Sequence, residues 1–191
     1  LTDDLVAHDD SASLPDRALR SVSLDALASL LVPKPDKNGS NRSAVETVRL
    51  LLRLPDENGV LPDIGVWPKQ KEVAEALGLS VGRIPQILKQ QRTRWKKLPA
   101  VQALRKEIRG LLADLGRVAS AAEIADALTV RRGTRFRERG QRRAMALAAV
   151  RAVVEVEQLV PDEAVFRHQH NRGAKDDALG AGLLALEVGE D

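Results

Sequence analysis

Apolar residues recur every three or four positions along most of this chain of 191 residues. That spacing places them on one face of an α-helix and leaves the other faces polar. The stretches with this spacing are residues 24–31, 43–54, 70–77, 80–97, 100–115, 120–130 and 140–159. We therefore predict a protein built mainly of α-helices.

Capping residues mark several of the predicted helix starts. Ser23 precedes the first helix, where its hydroxyl can accept a hydrogen bond from a free backbone amide. Ser43 and Glu46 have the spacing of a capping box, in which each side chain binds the backbone amide of the other residue. Ser120 and Glu123 repeat that spacing, so we predict a second capping box there.

Two short strand-like runs follow the last helix. They are AVFRHQH, residues 164–170, and LLALEV, residues 183–188, separated by the glycine-containing segment NRGAKDDALGAG. Two such runs around a turn-rich segment predict a β-hairpin. The fold class that we predict is all-α in the main, with tandem helix-turn-helix domains, the second a winged helix that ends in a small C-terminal β-hairpin.

Composition shifts along the chain predict three parts. Residues 1–20 are rich in aspartate and poor in apolar residues, which is typical of a flexible acidic leader. Residues 21–98 would form a first helical domain that contains a helix-turn-helix. Residues 99–191, after the break at Leu98 and Pro99, would form a second helical, winged-helix domain.

Residues 70–89 have the internal spacing of a helix-turn-helix. Ala74 is small where the two helices must approach closely, and Gly78 stands four residues later, where the turn needs a positive φ. Arg83, Gln86 and Lys89 would point outward from the second helix, as base-contacting and phosphate-contacting side chains do. Helical corners of this kind also serve only for packing, so both interpretations stand at this point.

A degraded copy of the same pattern begins at Ser120. Ile124, Ala125 and Leu128 occupy the positions that Val73, Ala74 and Leu77 hold in the first unit, but Thr129 stands where the turn glycine would be. The arginine-rich segment RRGTRFRERG then precedes the next helix, so the second unit would have a long turn.

Basic residues gather in two clusters that a helix-turn-helix would turn toward phosphates. These two clusters, together with the first residues of the second helix of the helix-turn-helix, form the predicted DNA-binding set. The first group is Ser80, Val81, Arg83, Gln86, Lys89, Arg92, Arg94, Lys96 and Lys97, and the second is Arg131, Arg132, Arg135, Arg137, Arg139, Arg142 and Arg143. Solvated surface helices also carry such charges, so the clusters have an alternative that involves no ligand.

The first residues of the second helix of the helix-turn-helix, the recognition helix, would contact the bases. Arg83 suits guanine and Gln86 suits adenine, while Ser80 would cap the helix and turn its amides toward a phosphate. Gly82 and Pro85 weaken or kink a helix, so we expect shortening between them and poor discrimination between DNA sequences.

Composition excludes several classes of function. The chain has no cysteine and three histidines, so we expect no disulfide, no metal centre and no cofactor. Aromatic residues are 2% of the chain, which argues against binding of single strands by base stacking. No P-loop, GxGxxG, HExxH or GxSxG motif occurs, so we expect no catalytic activity. No apolar run is long enough to span a membrane and no signal peptide is evident, which indicates a cytoplasmic protein.

The order of LPDIGVWPKQ, EVAEALGLS and GRVASAAEIADAL resembles the non-kinase region of the large serine/threonine kinases of bacterial phage-growth-limitation systems. The segments WPKQ, EVAEALGLS, RTRW and GRVASAAEIADAL also resemble the promoter-reading regions of sigma factors. The first resemblance implies a kinase domain elsewhere in a longer protein, and the single Met and the first residue, Leu1, also indicate a piece of a longer polypeptide. This resemblance to the kinases also implies that the chain is the part that binds nucleic acid or a partner.

Two functions follow from the sequence. The first is a module that binds double-stranded DNA, in phage defence or in transcription regulation. The alternative is a protein-interaction or scaffolding module that docks an attached kinase domain, other subunits of a defence complex, or RNA polymerase. The first predicts binding that weakens steeply with salt, because each neutralised phosphate releases counterions.

Overall fold

A computed structural model describes residues 18–170 and 180–187. Most of the predicted acidic leader, residues 1–17, lies outside the described residues. So does the segment 171–179, which belongs to the connection of the predicted hairpin.

Four helices occur between residues 24 and 96 of the described chain. They are α1 (Leu24–Leu31), α2 (Arg42–Leu51), α3 (Gln70–Leu77) and α4 (Arg83–Lys96). Ser23 caps α1 as predicted, because its hydroxyl accepts a hydrogen bond from the Ala26 amide at 3.1 Å.

The capping box predicted at the start of α2 is wrong. Asn41 holds the N-cap position, one residue before Arg42 begins the helix, so Ser43 already lies inside it. The Glu46 carboxylate accepts a hydrogen bond from Arg42 Nε at 3.0 Å instead. The Asn41 side chain does not cap the helix either, because it binds the backbone of Lys34 and of Asp36 in the preceding loop.

Helices α3 and α4 meet through a tight turn, as their spacing predicts. Ala74 is fully buried in the contact, and Gly78 has a φ of 65°. The prediction that Ser80 caps α4 is wrong, because Gly82 holds the N-cap position and the Ser80 carbonyl accepts from the Arg83 amide in a turn. Pro85 is the third residue of α4, where a backbone amide has no partner within the helix, so the expected shortening takes the form of a late helix start.

The second part of the chain combines three helices with a small sheet. The elements are α5 (Pro99–Asp114), β1 (Val118–Ser120), α6 (Ala121–Arg132), α7 (Arg139–Glu157), a 3-10 turn (Pro161–Glu163), β2 (Phe166–Gln169) and β3 (Leu183–Leu186). The strands are antiparallel in the order β1-β3-β2, with Leu184 paired to Ala119 on one side and to His168 on the other. The mainly α-helical class with a C-terminal hairpin is confirmed, and so is the capping box of Ser120 and Glu123. The sequence did not predict β1.

Helix α7 occupies the centre of the molecule. Every residue from 144 to 157 is buried, because α6, α1, α4 and α5 all pack against this helix. The main core includes Leu24 of α1, Trp95 of α4, Val150 of α7 and Leu184 of β3. Residues from both predicted domains therefore share one core, while the boundary at residue 98 stays a prediction.

A smaller core holds α3 to its neighbours. Leu51 of α2, Val73 and Ala74 of α3, and Ile84 and Leu88 of α4 form it. Burial on both sides of the turn fixes the angle between α3 and α4. Within the described ranges, no helix has the length and apolar character that a membrane span requires.

Candidate nucleic-acid interface

The outer face of α4 and the turn before it is open to solvent. Val81 is 57% exposed, and the Arg83 guanidinium donates a hydrogen bond to Gln86 Oε1 at 3.3 Å. The predicted residues that are exposed here are Ser80, Val81, Arg83, Gln86, Lys89 and Lys97. Helix α4 contains no acidic residue, so nothing on its own outer face opposes an anionic ligand.

The inner face of α4 explains why the outer face is presented to solvent. Ile84, Ile87, Leu88 and Trp95 are buried on that side. The Trp95 indole N–H donates to the Leu31 carbonyl at 2.8 Å, which anchors the end of α4 to the end of α1. Trp95 is thus a core residue.

Three members of the first basic cluster make contacts within the protein. Arg92 Nε donates to Glu155 of α7 at 2.8 Å, and Arg94 donates to the backbone carbonyls of Leu30 and Leu31. Burial lowers the pKa of the Arg94 guanidinium. Lys96 Nζ lies 3.6 Å from a Glu163 carboxylate oxygen.

The second cluster also divides into exposed and engaged members. Arg131, Arg137 and Arg139 are exposed. Three others contact the protein. Arg135 lies 3.5 Å from Asp25 and packs over the Phe136 ring, Arg142 donates to the Phe136 carbonyl, and Arg143 donates to Asp126 at 2.9 Å.

Arg132 is buried, with 6% of its surface exposed. Its guanidinium binds both carboxylate oxygens of Glu107, at 3.1 and 3.3 Å. It also donates to the carbonyls of Leu19 and Val22, at 3.0 and 2.9 Å. These contacts join α6 to α5 and to the segment before α1, so this guanidinium is committed to the fold.

Helix α7 follows the long arginine-rich turn of the second unit, where a recognition helix would stand. Burial of residues 144–157 leaves only its first turn open to a ligand. The second unit therefore presents residues 131–143, which are the end of α6, the loop 133–138 and the start of α7, as a basic surface, but it presents no helix that could contact bases.

The two basic clusters lie at opposite ends of α7. Arg92 pairs with Glu155 near its C-terminal end, and the arginine-rich turn leads into its N-terminal end at Arg139. The twelve residues from Arg143 to Glu155 correspond to about 18 Å along a helix that rises about 1.5 Å per residue. At about 3.4 Å per base pair, that separation equals roughly five base pairs of duplex.

A second polar site, which the sequence reasoning missed, surrounds Arg151 of α7. Arg151 Nε donates to Glu155 at 3.0 Å, and its guanidinium carbon lies 4.9 Å from the centroid of the Trp67 ring. The Trp67 ring stacks on His168 at 4.2 Å. A sequence signal existed, because Arg151 is the one charged residue inside the apolar run LAAVRAVV.

The ring of His168 is fixed by its hydrogen bond to the Ala181 carbonyl, at 2.6 Å. Since a carbonyl only accepts, Nε2 carries the proton. Burial lowers the pKa of His168, and the positive charges of Arg151 and His170 add to that effect, while the bond to Ala181 opposes it. The lowered pKa favours the neutral form of the ring.

Comparison with protein-family models and with solved structures finds no match for this chain. A comparison with curated proteins finds Probable kinase PglW of Streptomyces coelicolor, which is 69% identical over all 191 residues. The chain is homologous to a segment of this kinase. It spans 12% of that protein's length. The predicted resemblance to phage-growth-limitation kinases is confirmed, and the resemblance to sigma factors is not shown.

Proposed function

We propose that this chain binds double-stranded DNA as part of a larger phage-defence kinase. Helices α3 and α4 would act as its helix-turn-helix. The observation that carries the proposal is the exposed outer face of α4, where Arg83, Gln86 and Lys89 stand together with no acidic residue on the helix.

The exposed arginines of the second cluster would add phosphate contacts. Arg131, Arg137 and Arg139 are the members that are exposed and make no ion pair with a described residue. Backbone phosphates need only positive charge within reach, so a loop suffices for this contact. One base-contacting helix with a separate basic segment supports affinity for duplex DNA more than discrimination between sequences.

The arginines that make contacts within the protein have a structural role in this proposal. Arg92, Arg94 and Arg132 use their donors on carboxylates and carbonyls of the protein. They hold α4 and α6 in place and contribute to DNA binding only through position. Arg135, Arg142, Arg143 and Lys96 remain candidates for phosphate contact, because surface ion pairs are weak and exchange readily.

The test is fluorescence anisotropy of a labelled duplex, measured between about 50 and 200 mM salt. The double variant Arg83→Gln with Lys89→Gln should weaken binding. It should also flatten the plot of log affinity against log salt, by about one unit for each phosphate that the variant no longer neutralises. The matched control is Lys106→Gln with Arg109→Gln, which removes the same charge from exposed positions on α5.

The control should bind as the unaltered chain does. Equal reductions of affinity in the two double variants would mean that net charge alone, and not the α4 face, attracts the duplex. No binding at the lowest salt concentration would overturn the proposal.

An exposed apolar pair favours a second candidate function. Leu115 directly follows α5 and Val118 begins β1 three residues later, and they are 49% and 54% exposed. Apolar side chains at such a junction suit docking against another protein surface. The candidate partner is the remainder of the kinase. The double variant Leu115→Ser with Val118→Ser should release this chain from the separately produced remainder, while DNA affinity stays unchanged.

A further inference from the structure

A cavity of about 370 Å³ opens where three separate elements meet. It lies beside the segment before α3, the middle of α7 and the end of β2. Its lining residues are Trp67, Pro68, Lys69, Arg151, His168 and His170. Four of these six are basic or imidazole side chains, and none is acidic.

The guanidinium of Arg151, which lines this cavity, has hydrogen-bond donors without acceptors. The residue is 7% exposed, and its Nε is engaged by Glu155. Its Nη1 is buried and has no partner, and its Nη2 makes no hydrogen bond with any described residue. A buried polar group without a partner costs free energy, and more so when it is charged. The Arg151 guanidinium therefore lines an open cavity while its two amino groups lack acceptors among the described residues, and the buried Nη1 is out of reach of solvent.

The charge around Arg151 is also unbalanced. The buried pair of Arg132 and Glu107 is matched one to one, but Arg92 and Arg151 share the single carboxylate of Glu155. Burial lowers the pKa of Arg151, and Glu155 and, more weakly, Glu72 of α3 act against that effect. With Lys69 included, three cations face two carboxylates, which leaves one positive charge in excess.

The aromatic wall of the cavity is held in a fixed position. Trp67 has a φ of 55°, a left-handed conformation that is unfavourable for a large side chain. The ring is retained by its stacking on His168, which the Ala181 carbonyl holds. The neighbouring Gly182 admits no side chain, since a Cβ atom there would lie 2.2 Å from the Gln169 carbonyl oxygen. A rigid wall lowers the entropic cost of binding a ligand.

The start of α3 adds to the positive potential. Lys69 is the N-cap residue of this helix, and no side chain caps the free amides of its first turn. A helix N-terminus carries a partial positive charge that favours anions. The cavity thus borders a helix N-terminus as well as a buried guanidinium with free donors.

We propose that this cavity binds a phosphate monoester. The guanidinium of Arg151 would donate to a phosphate oxygen from Nη2, the amino group that is not fully buried, and Lys69 would neutralise remaining charge. The volume holds the phosphate together with part of the group that it esterifies, either a phosphorylated side chain or a mononucleotide. This site is separate from the outer face of α4 and does not depend on DNA binding.

The test measures the thermal unfolding midpoint and the tryptophan fluorescence of the chain during titration with inorganic phosphate. Sodium chloride at equal ionic strength is the reference, because it separates phosphate binding from screening. Phosphate should raise the midpoint and change the fluorescence in a saturable way, and chloride should do neither. Parallel titrations with phosphoserine and with adenosine monophosphate distinguish the two sources, since the natural one should bind more tightly than inorganic phosphate.

Lys69→Gln is the principal variant, because Lys69 is exposed and its replacement leaves the core intact. It should weaken phosphate binding at least about tenfold, the worth of one charge-assisted hydrogen bond. Lys71→Gln is the matched control, since Lys71 is exposed on α3 and does not line the cavity. Arg151→Met should abolish binding.

The proposal fails if inorganic phosphate has no effect beyond that of chloride on the unaltered chain. It also fails if Lys69→Gln binds phosphate as tightly as Lys71→Gln does, whether or not Arg151→Met folds. The proposal is supported if phosphate binds saturably, if Lys69→Gln weakens this binding and if Lys71→Gln leaves it unchanged.

Discussion

Arg131 and Arg132 are neighbours in the chain, yet their side chains have opposite environments. Arg131 is exposed, while Arg132 is buried against Glu107 and two backbone carbonyls. Consecutive residues of a helix point about 100° apart, so one can face solvent while the next faces the core. A cluster defined by residue type alone therefore mixes surface charges with structural ones.

Replacement of Arg132 by Met should destabilise the protein. The change leaves the Glu107 carboxylate buried without its partner, and breaking a buried pair in this way costs about 3–5 kcal/mol. The measurement is urea unfolding, with Arg131→Met as the matched control. Because Arg131 is exposed, Arg131→Met should change the free energy of unfolding by no more than about 0.5 kcal/mol.

The double variant Arg132→Met with Glu107→Leu isolates the cause. Removal of both charges should recover most of the missing stability, because the penalty comes from the unpaired carboxylate. Similar free energies of unfolding for Arg131→Met and Arg132→Met would contradict the structural role of Arg132.

The sequence predicted some residue environments and could not predict others. Gly78 was expected to have a positive φ and has one, because the spacing of a helical corner is a local pattern. The pairing of Arg132 with Glu107 spans 25 positions, and that of Arg92 with Glu155 spans 63. Which carboxylate pairs with which guanidinium depends on how the helices pack, and a local sequence pattern contains no information on that packing.

At the scale of the elements, helix starts show how local signals compete. The sequence signals at Ser43 and at Ser120 are alike, but the capping box forms only at Ser120. Before Ser43, the side chain of Asn41 binds the backbone of the loop 34–36, which draws the helix start back to Arg42. Hydrogen bonds within that loop override the capping signal of the helix start.

Ser120→Ala should lower the free energy of unfolding by about 1 kcal/mol, the usual worth of an N-cap. Ser43→Ala is its control. Since Ser43 lies inside α2, alanine there should be neutral or slightly stabilising, by up to about 0.5 kcal/mol. Thermal unfolding of both variants checks this pair, and an equal decrease in each would count against the helix starts described above.

The strand β1 and the burial of α7 were missed for different reasons. Strand β1 has three residues, too few for an alternating pattern, and it exists because β3 returns to pair with it. Helix α7 did carry a signal, because alanine and valine occur on all its faces. A helix that is apolar all round is a buried helix.

At the scale of the whole molecule, α7 joins the parts that the sequence divides at residue 98. Helices α1 and α4 from the first part and α5 and α6 from the second all pack against it. A fragment limited to residues 99–191 would expose the apolar surface that α1 and α4 cover. The sequence boundary is a break between helices, and the core runs across it.

The isolated fragment 99–191 should therefore lack a cooperative thermal transition and should bind a dye specific for exposed apolar surface. The intact chain should unfold in one transition and bind little dye. Calorimetry and dye fluorescence on the two proteins test this. A sharp transition of the fragment near the midpoint of the intact chain would show that it is an independent domain.

Glu155 accepts hydrogen bonds from Arg92, which anchors α4, and from Arg151, which lines the cavity. An anion that attracts Arg151 would leave more of that carboxylate to Arg92, and so tighten the attachment of α4 to the central helix. Thermodynamic linkage then requires reciprocity: if occupancy of the cavity changes the affinity of the α4 face for its ligand by some factor, that ligand changes the affinity of the cavity by the same factor. One shared carboxylate would thus make two surfaces of this protein allosterically coupled.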